Sequence, residues 1–492
     1  MRRALVVLAL ACLGGCAGTG AYFQDAGAPP PSEPRALDAW PWREIWTGIV
    51  FQGRKVGFSR LVLRAAADTA GRWELESESA MRFHVLGLEK KVNLRTLDRV
   101  RADLTLESFR YQYDLDGSPM RVEGESDGAE LVVRVETGGM RSEQRLRLER
   151  PAYPVNALTL LPVLRGMRIG SEERVPVFLG EAQEVALAAQ HVLGFQRSSL
   201  FEGSAFKVAT TLLGLETETW YDAQGRPLLE IALHGVMISA LEDADSAQAY
   251  LVAASLNKDE SLLEFSLLRS APVAEPRRAA ALSITLEGVP EGLQVPSTGG
   301  QRCTRAGARL ECRIDRRNLP AAGDAQQAAR YLQPTLAAPS NERRIAELAQ
   351  SIAQNASSPD AKIDRLLAWI EANIAKAAVD AFSAVDVLRE RRAECQGHAY
   401  LFAALARALG LPTRVVNGVV YAPEYGGFLY HSWNEVWIDG AGWRPVDATF
   451  AQPLADATHL TLLEGEGARD LVPLVGMLGR ARVTALGDVA HW

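Results

Sequence analysis

Apolar and polar residues alternate along much of the first half of the chain, and this pattern indicates β-strands. The run Glu130-Leu-Val-Val-Arg-Val-Glu136 is one example, and it follows the turn-forming pair Asp127-Gly128. A second turn pair, Asp116-Gly117, also separates two alternating runs. Several short strands joined by such turns predict an antiparallel sheet, a sandwich or an open barrel, which we assign to residues 42–255. Within this region, the apolar stretch 156–166 predicts a short helix.

A second, smaller β unit is predicted for residues 256–325. The segments Leu262–Leu267 and Ala281–Leu286 both alternate as half-buried strands do. Cys303 and Cys312 then flank a run that contains a glycine, which predicts a hairpin. In an oxidising compartment this pair is expected to form a disulfide, and the alternative is two unpaired thiols.

After residue 325 the apolar positions recur every three or four residues, which is typical of helices. Ser358-Pro359 marks a helix start, because serine is a good N-cap and proline fits the first helical position. A further helix is predicted over residues 381–391. The segment that begins at Gln396 is rich in helix formers, and Gly410 marks its end.

Composition and charge narrow the class of protein. The chain has 492 residues, of which 48% are hydrophobic and 23% are charged, and its formal net charge is -7. This length is enough for several domains, and the composition is that of ordinary globular proteins. The mildly negative balance argues against a nucleic acid as the partner.

The first residues have the pattern of an export signal. Two arginines and a short apolar run precede Leu13-Gly14-Gly15-Cys16, and that run is too short to span a bilayer. The four residues resemble a bacterial lipobox, with Gly14 where Ala or Ser is usual. The resemblance implies removal of residues 1–15 and attachment of lipid, such as palmitate, to Cys16. The alternative is ordinary cleavage that leaves an unmodified cysteine.

Two further features bear on location. Ala17 stands where an Asp would favour retention in the inner membrane, so the resemblance implies an outer-membrane anchor facing the periplasm. The segment 16–41 is rich in proline, which at this density cannot sustain a helix or pack a core. It is therefore predicted to be a semi-rigid tether between the lipid and the folded chain.

The five cysteines leave one thiol without a partner. Cys12 leaves with the signal, Cys16 carries the lipid, and Cys303 and Cys312 form the candidate pair. Cys395 remains, at the first turn of a predicted helix. A helix dipole favours negative charge at its N-terminus, and the reactive form of cysteine is the thiolate. Cys395 is therefore a candidate nucleophile.

The strands that follow this helix supply a base and an acid. An alternating strand carries His431, and after the turn Asp439-Gly440 the next strand carries Asp447. Neighbouring antiparallel strands can bring these two side chains together. Cysteine, histidine and carboxylate would then act as nucleophile, base and orienting acid. His398 is the rival base, three residues after Cys395, but no carboxylate is evidently placed to orient it.

This region resembles a known family. Four stretches resemble the core of the bacterial transglutaminase-like superfamily: Glu394–Ala399, Leu405–Arg414, His431–Trp437 and Gly442–Thr449. Carried over by position, Cys395 matches the nucleophile, His431 the base and Asp447 the orienting acid. Two positions depart from the usual pattern, since Ala393 stands for Gly and Ala448 for Pro. Neither position carries a reacting atom.

The resemblance completes the predicted architecture. It implies a C-terminal α+β domain of papain-like type, which we assign to residues 326–465, followed by a tail at 466–492. The whole chain is thus expected to be multidomain, with an N-terminal, mostly antiparallel β region. The family resemblance does not cover that region.

Two classes of function remain open. The first is acyl transfer or amide hydrolysis on a peptide or protein in the bacterial envelope, through a thioester on Cys395, with no metal or cofactor. Water as acceptor would make a protease or amidase, and an amine would make a transglutaminase. The second is a lipid-anchored scaffold with a weak or silent triad, whose β domain binds an envelope protein or a lipid.

Overall fold

The alternating segments of the first half form one large sheet. A computed structural model describes residues 22–85, 88–248, 266–319, 324–477 and 479–492. Among these residues the sheet has sixteen strands: β1 (Phe23–Asp25), β2 (Glu44–Phe51), β3 (Arg54–Ala65), β4 (Arg72–Val85), β5 (Leu88–Arg101), β6 (Leu106–Leu115), β7 (Ser118–Ser126), β8 (Glu130–Thr137), β9 (Met140–Arg147), β10 (Tyr153–Pro154), β11 (Glu172–Leu179), β12 (Glu184–Ser198), β13 (Ser204–Leu212), β14 (Leu215–Tyr221), β15 (Pro227–Ala232) and β16 (Met237–Glu242).

The sheet is an antiparallel meander in two runs. Strands β2 to β9 follow one another, β11 to β16 do the same, and β16 joins the runs by pairing with β2. Residues Ser118–Ser126 of β7 alternate strictly between buried and exposed, as their sequence predicts. The turn before them has positive φ at Asp116 and Gly117, as a two-residue hairpin of the favoured primed type requires. This turn directs Asp116 toward the second half of the chain.

The core of the sheet surrounds a short helix. The predicted helix is present as α1 (Ala157–Arg165), and its buried Leu160 and Leu161 share one hydrophobic cluster with residues from both runs of the sheet. Asn156, which precedes α1, donates a hydrogen bond of 2.8 Å to the buried Asp98 carboxylate. The sheet is therefore curved around α1.

The tether predicted for residues 16–41 is wrong for its described part. From residue 22 onward this segment packs on the sheet, because its few apolar side chains are buried in the core. Phe23 belongs to β1, which pairs with β12, and Leu37 and Trp40 are buried. Residues 1–21, with the predicted signal and the candidate lipid site Cys16, lie outside the described residues.

The second half mixes helices with short strands. The helices are α2 (Ala325–Ala328), α3 (Arg343–Ile352), α4 (Pro359–Asn373), α5 (Ala384–Glu390), α6 (Cys395–Ala408) and α7 (Ala468–Val475). Short 3-10 turns occupy Leu233–Gly235, Pro276–Arg278 and Ala329–Leu332. The strands are β17 (Leu268–Arg269), β18 (Ala279–Glu287), β19 (Gln301–Ala306), β20 (Arg309–Asp315), β21 (Ala375–Lys376), β22 (Arg392–Ala393), β23 (Thr413–Ala422), β24 (Gly427–Ile438), β25 (Gly442–Val446), β26 (Leu460–Glu464) and β27 (Arg482–His491).

Helix α6 is the centre of the second core. It packs against β24 and against α3, α4 and α5, and its residues 399–406 are all buried. The sheet beside it has the order β17-β24-β23-β26, with β25 on the outer side of β24. The predicted helix start at Ser358-Pro359 is confirmed, because the Ser358 hydroxyl accepts a hydrogen bond from the Ala361 N–H at 3.1 Å. The described chain is thus mostly β in its N-terminal part and α+β in its C-terminal part.

The small β unit is completed from the predicted tail. Its order is β19-β20-β18-β27, so a strand from residues 482–491 pairs with β18. The tail 466–492 is therefore ordered in its described part, because α7 and β27 bury apolar residues against this unit. The predicted strand Leu262–Leu267 lies almost entirely outside the described residues. Cys303 and Cys312 face each other across β19 and β20 and form the predicted disulfide.

No helix among the described residues is long and apolar enough to cross a membrane.

Replacing both Cys303 and Cys312 by alanine is expected to destabilise the small β unit. The disulfide closes a sequence separation of 9 residues, and loop-closure entropy at that length corresponds to about 2–3 kcal/mol. Urea unfolding of the full chain, with and without the substitutions, measures the loss. Reduction of the wild-type chain by dithiothreitol provides the matched control, and equal stability in all three samples would contradict the assignment.

Candidate active site

Cys395 is the first residue of helix α6. The preceding residue, Glu394, has an extended backbone and makes no side-chain hydrogen bond to cap the helix. The N–H groups of the first turn therefore have no capping carboxylate, and the helix dipole favours a negative charge there. Cys395 is a free cysteine, is half-buried and lines a cleft.

His431 and Asp447 lie on the neighbouring strands. His431 is in β24, and Asp447 follows directly after β25, which pairs with β24. The His431 Nε2 atom lies 2.7 Å from the Asp447 Oδ2 atom, and both side chains are buried. The other carboxylate oxygen, Oδ1, accepts hydrogen bonds from the backbone N–H groups of Thr449 and Phe450 at 2.6 and 3.1 Å. These bonds fix the carboxylate in one orientation.

The structure brings all three predicted residues together. Cys395 and His431 line the same cleft and interact electrostatically, and Asp447 contacts the imidazole at Nε2. The arrangement depends on the packing of β24 against α6. The Asn434 amide of β24 donates to the Ala399 carbonyl of α6 at 3.0 Å and holds the two elements together.

Charge at this site is set by burial and by the neighbouring groups. Burial alone would lower the pKa of His431, but Asp447 and then Cys395 outweigh it and raise the pKa to about 9. Burial alone would raise the pKa of Asp447, but His431 and His459 outweigh it, so the pKa lies well below the usual range. Asp447 is therefore ionised, and its charge favours the imidazolium form of His431.

His459 is a member of this site that the sequence analysis missed. Its Nε2 lies 2.9 Å from the same oxygen of Asp447, and its Nδ1 lies 3.2 Å from the carbonyl of Asp456 and 3.3 Å from its carboxylate. Burial would lower the pKa of His459, but Asp456 and Asp447 raise it. Because acceptors face both ring nitrogens, the imidazolium form fits this position. A His twelve positions after Asp447 is the only sequence signal, and it matches none of the four quoted stretches.

The same side chains have the composition of a metal-binding group. The ligand atoms of His431, Asp447 and His459 all lie within 4.8 Å of one another. Their mutual contacts of 2.7 and 2.9 Å are ordinary hydrogen-bond distances between a carboxylate and ring nitrogens. All three side chains are buried. The geometry therefore fits a network in which hydrogen bonds join the carboxylate to the two imidazole rings.

Two rival residues point elsewhere. His398 is buried, and its Nδ1 lies 2.8 Å from the Glu394 carbonyl, one helical turn earlier. Burial lowers the pKa of His398, which favours the neutral ring. Gln396, the residue after Cys395, is not free to bind an oxyanion through its amide, which donates to the Tyr400 hydroxyl at 2.5 Å.

The cleft beside Cys395 has a volume of about 700 Å³. Phe450 and Tyr430 line it together with Cys395 and His431. Lys90 and Val92 of the N-terminal sheet line it too, so the first half of the chain forms part of its wall. Trp433, two positions after His431, is fully buried and does not line the cleft.

Comparison with known proteins identifies a family for part of the chain. A model of the Transglutaminase-like superfamily matches residues 346–448, which include Cys395, His431 and Asp447. This segment is therefore a transglutaminase-like domain. Kyphoscoliosis peptidase of Mus musculus is 31% identical over 127 residues, which cover 23% of this chain and 19% of the mouse protein. The match thus spans about a fifth of that relative.

Two solved structures are similar to parts of the chain. The periplasmic domain of TgpA from Pseudomonas aeruginosa is 19% identical, with 38% of this chain and 88% of that chain covered and a TM-score of 0.27. A β-barrel-like protein from Brucella abortus is 10% identical, with 43% and 98% covered and a TM-score of 0.31.

Asp447→Asn is expected to lower the pKa of His431 from about 9 toward the ordinary histidine value. The substitution removes the negative charge that stabilises the imidazolium, so the ring loses its proton at lower pH. NMR titration of histidine-labelled protein measures the shift, and His431→Gln identifies the resonance. A His431 signal that titrates at the same pH in wild type and Asp447→Asn would contradict the described network.

Proposed function

We propose that the transglutaminase-like domain is an acyl-transfer enzyme with Cys395 as nucleophile, His431 as base and Asp447 as orienting acid. One observation carries the proposal. The buried His431 ring interacts with the Cys395 thiol in the cleft and lies, at Nε2, 2.7 Å from the Asp447 carboxylate. This is the order in which a nucleophile, a base and an orienting group must stand for a proton to move between them.

The reaction follows from these positions. The Cys395 thiolate attacks the carbonyl carbon of an amide, and the carbonyl oxygen becomes negatively charged. The backbone N–H of Cys395, at the uncapped start of α6, is suited to bind that oxyanion. The His431 imidazolium then gives its proton to the departing amine, the C–N bond breaks, and an acyl thioester remains on the sulfur.

The second half of the reaction restores the enzyme. Water or a primary amine loses a proton to the neutral His431 ring and attacks the thioester, which releases Cys395. Water gives hydrolysis of a peptide or protein amide, and an amine gives transamidation. Asp447 serves both outcomes equally, because it holds the ring and stabilises its charged form.

The substrate class that we propose is a peptide or protein. The cleft is wide, at about 700 Å³, and it combines aromatic walls with charged groups of both signs. Such a site suits an extended peptide, whose side chains differ in polarity. Incorporation of a fluorescent primary amine into casein, compared with release of casein fragments, separates transamidation from hydrolysis.

Iodoacetamide is expected to label Cys395 at neutral pH at least about tenfold faster in the folded chain than in the chain unfolded by urea. The imidazolium of His431 and the helix dipole stabilise the thiolate only in the folded protein. Mass spectrometry locates the label, Cys395→Ala shows the background, and His431→Ala is expected to slow the reaction by a similar factor. Labelling no faster than in urea would favour the alternative, a scaffold with a silent triad.

We also propose that the chain is exported and anchored by lipid on Cys16, on the periplasmic side of the bacterial outer membrane. The Cys303–Cys312 disulfide supports export, because such bonds persist in oxidising compartments. The lipobox-like sequence before Cys16 supports the anchor.

Cys16→Ser is expected to abolish incorporation of radioactive palmitate when the full chain is expressed in a Gram-negative bacterium. The serine cannot form the thioether that carries the diacylglycerol group. Cys395→Ala is the matched control, since it removes another cysteine and should keep the label. Retention of palmitate in Cys16→Ser would reject Cys16 as the anchor.

A further inference from the structure

The segment that precedes the Cys395 helix is held by the N-terminal sheet. The backbone N–H of Asp380 donates to the Asp116 carboxylate at 3.2 Å, and the Ser118 hydroxyl donates to the Asp380 carbonyl at 3.1 Å. Asp116 is in the β6–β7 turn and Ser118 begins β7. The end of β8 contributes Thr137, whose hydroxyl lies 3.4 Å from the buried Asp386 carboxylate. The chain that precedes α6 therefore contacts the sheet at two points.

Lys90 lies at the centre of this contact. It is in β5 and is 8% exposed. Its ammonium group lies 2.9 Å from the Asp380 carboxylate, 3.3 Å from that of Asp116 and 3.4 Å from that of Glu394. One cation thus serves three acidic residues, and Glu394 is the residue directly before Cys395.

The two acids nearest Cys395 also contact each other. The side chains of Glu394 and Asp380 interact closely enough that each shifts the pKa of the other. Burial raises the pKa of Glu394, the adjacent Asp380 raises it further, and Lys90 acts in the opposite direction. Burial would raise the pKa of Asp380 as well, but its contacts with Glu394 and Lys90 outweigh burial and lower it. Asp380 is therefore the anion that lies nearest to Lys90, at 2.9 Å.

These charges bear on the thiolate. Anions beside the start of α6 repel a negative sulfur, and in a partly buried site this repulsion is stronger than in water. Lys90 offsets it, and it is the cation that the sheet contributes to the cleft lining among the described residues. The cleft also contains Lys376 and Arg277, but Arg277 is committed to Asp456 at 3.0 Å and to the Tyr421 carbonyl at 2.7 Å.

We propose that Lys90 is a positioning residue for the proposed reaction: it fixes Asp380 and Glu394 against the sheet and offsets the negative charge of Asp380 beside Cys395. The N-terminal sheet is then part of the catalytic unit, although Lys90 and Glu394 are 304 positions apart in the chain. The inference rests on the proposed function, because it concerns the reactivity of Cys395.

The rate of iodoacetamide labelling of the full chain, measured as a function of pH, tests this role. Lys90→Met is expected to raise the pH at which labelling is half-maximal by about one unit, so that the rate at neutral pH falls about tenfold. Lys90→Arg keeps the cation and should label as wild type does. Lys91→Met makes the same chemical change at the next, exposed position and is the matched control. Other titratable groups that line the cleft are Arg277, Lys376, Glu424, Tyr425, Tyr430 and His431.

A double variant separates charge from simple loss of structure. In Lys90→Met/Asp380→Asn the excess negative charge is removed with the cation, so the half-maximal pH should return toward the wild-type value. Thermal unfolding confirms that each variant is folded. A Lys90→Met chain with the wild-type midpoint, or a double variant displaced further than Lys90→Met, would overturn the role of Lys90 alone. Wild-type labelling no faster than in urea would overturn the proposed function and this inference with it.

Discussion

The buried carboxylate of Asp447 is the constraint on which this site depends. An ionised carboxylate away from water is stable only when every oxygen has a partner. Here Oδ1 takes two backbone N–H groups and Oδ2 takes the rings of His431 and His459. The strand end, the following turn and both imidazoles are therefore held by one charge. His459 in turn contacts Asp456, and Asp456 forms an ion pair with Arg277 from a different part of the chain. The group formed by Cys395, His431 and Asp447 is thus the innermost part of a longer chain of alternating charges.

The remaining buried charges around the site support the sheet that carries His431. Glu435 is fully buried four positions further along β24, and it pairs with Arg414 of β23 at 2.6 Å and with the Thr298 hydroxyl at 2.8 Å. Arg407 of α6 pairs with Glu466 just beyond β26. These ion pairs join strands and helix across the domain. The contacts of the two arginines are those of structural residues.

The sequence was informative where chemistry is local and less so where contacts are remote. The apolar period, the Ser358-Pro359 start and the Asp116-Gly117 turn each depend on a few adjacent residues, and each predicted its element correctly. The fold class of the C-terminal domain and its family likewise followed from residues near Cys395, His431 and Asp447. His459 and Lys90 were missed because their meaning comes from partners brought near by the fold. The prediction for residues 22–41 was wrong because it relied on their proline content. It overlooked three apolar side chains that are buried in the fold, Phe23, Leu37 and Trp40.

The pairing of β18 with β27 has a consequence for biogenesis. Arg482 and Glu287, 195 positions apart, are neighbours across this pair, and the transglutaminase-like segment lies between them. Contacts this distant in sequence form late, because a long loop must close before they gain anything. While the polypeptide is being made, β18 has β20 on one side and an open edge on the other. That edge is a template for foreign strands until β27 arrives, so nascent chains depend on rapid completion or on a chaperone to avoid aggregation.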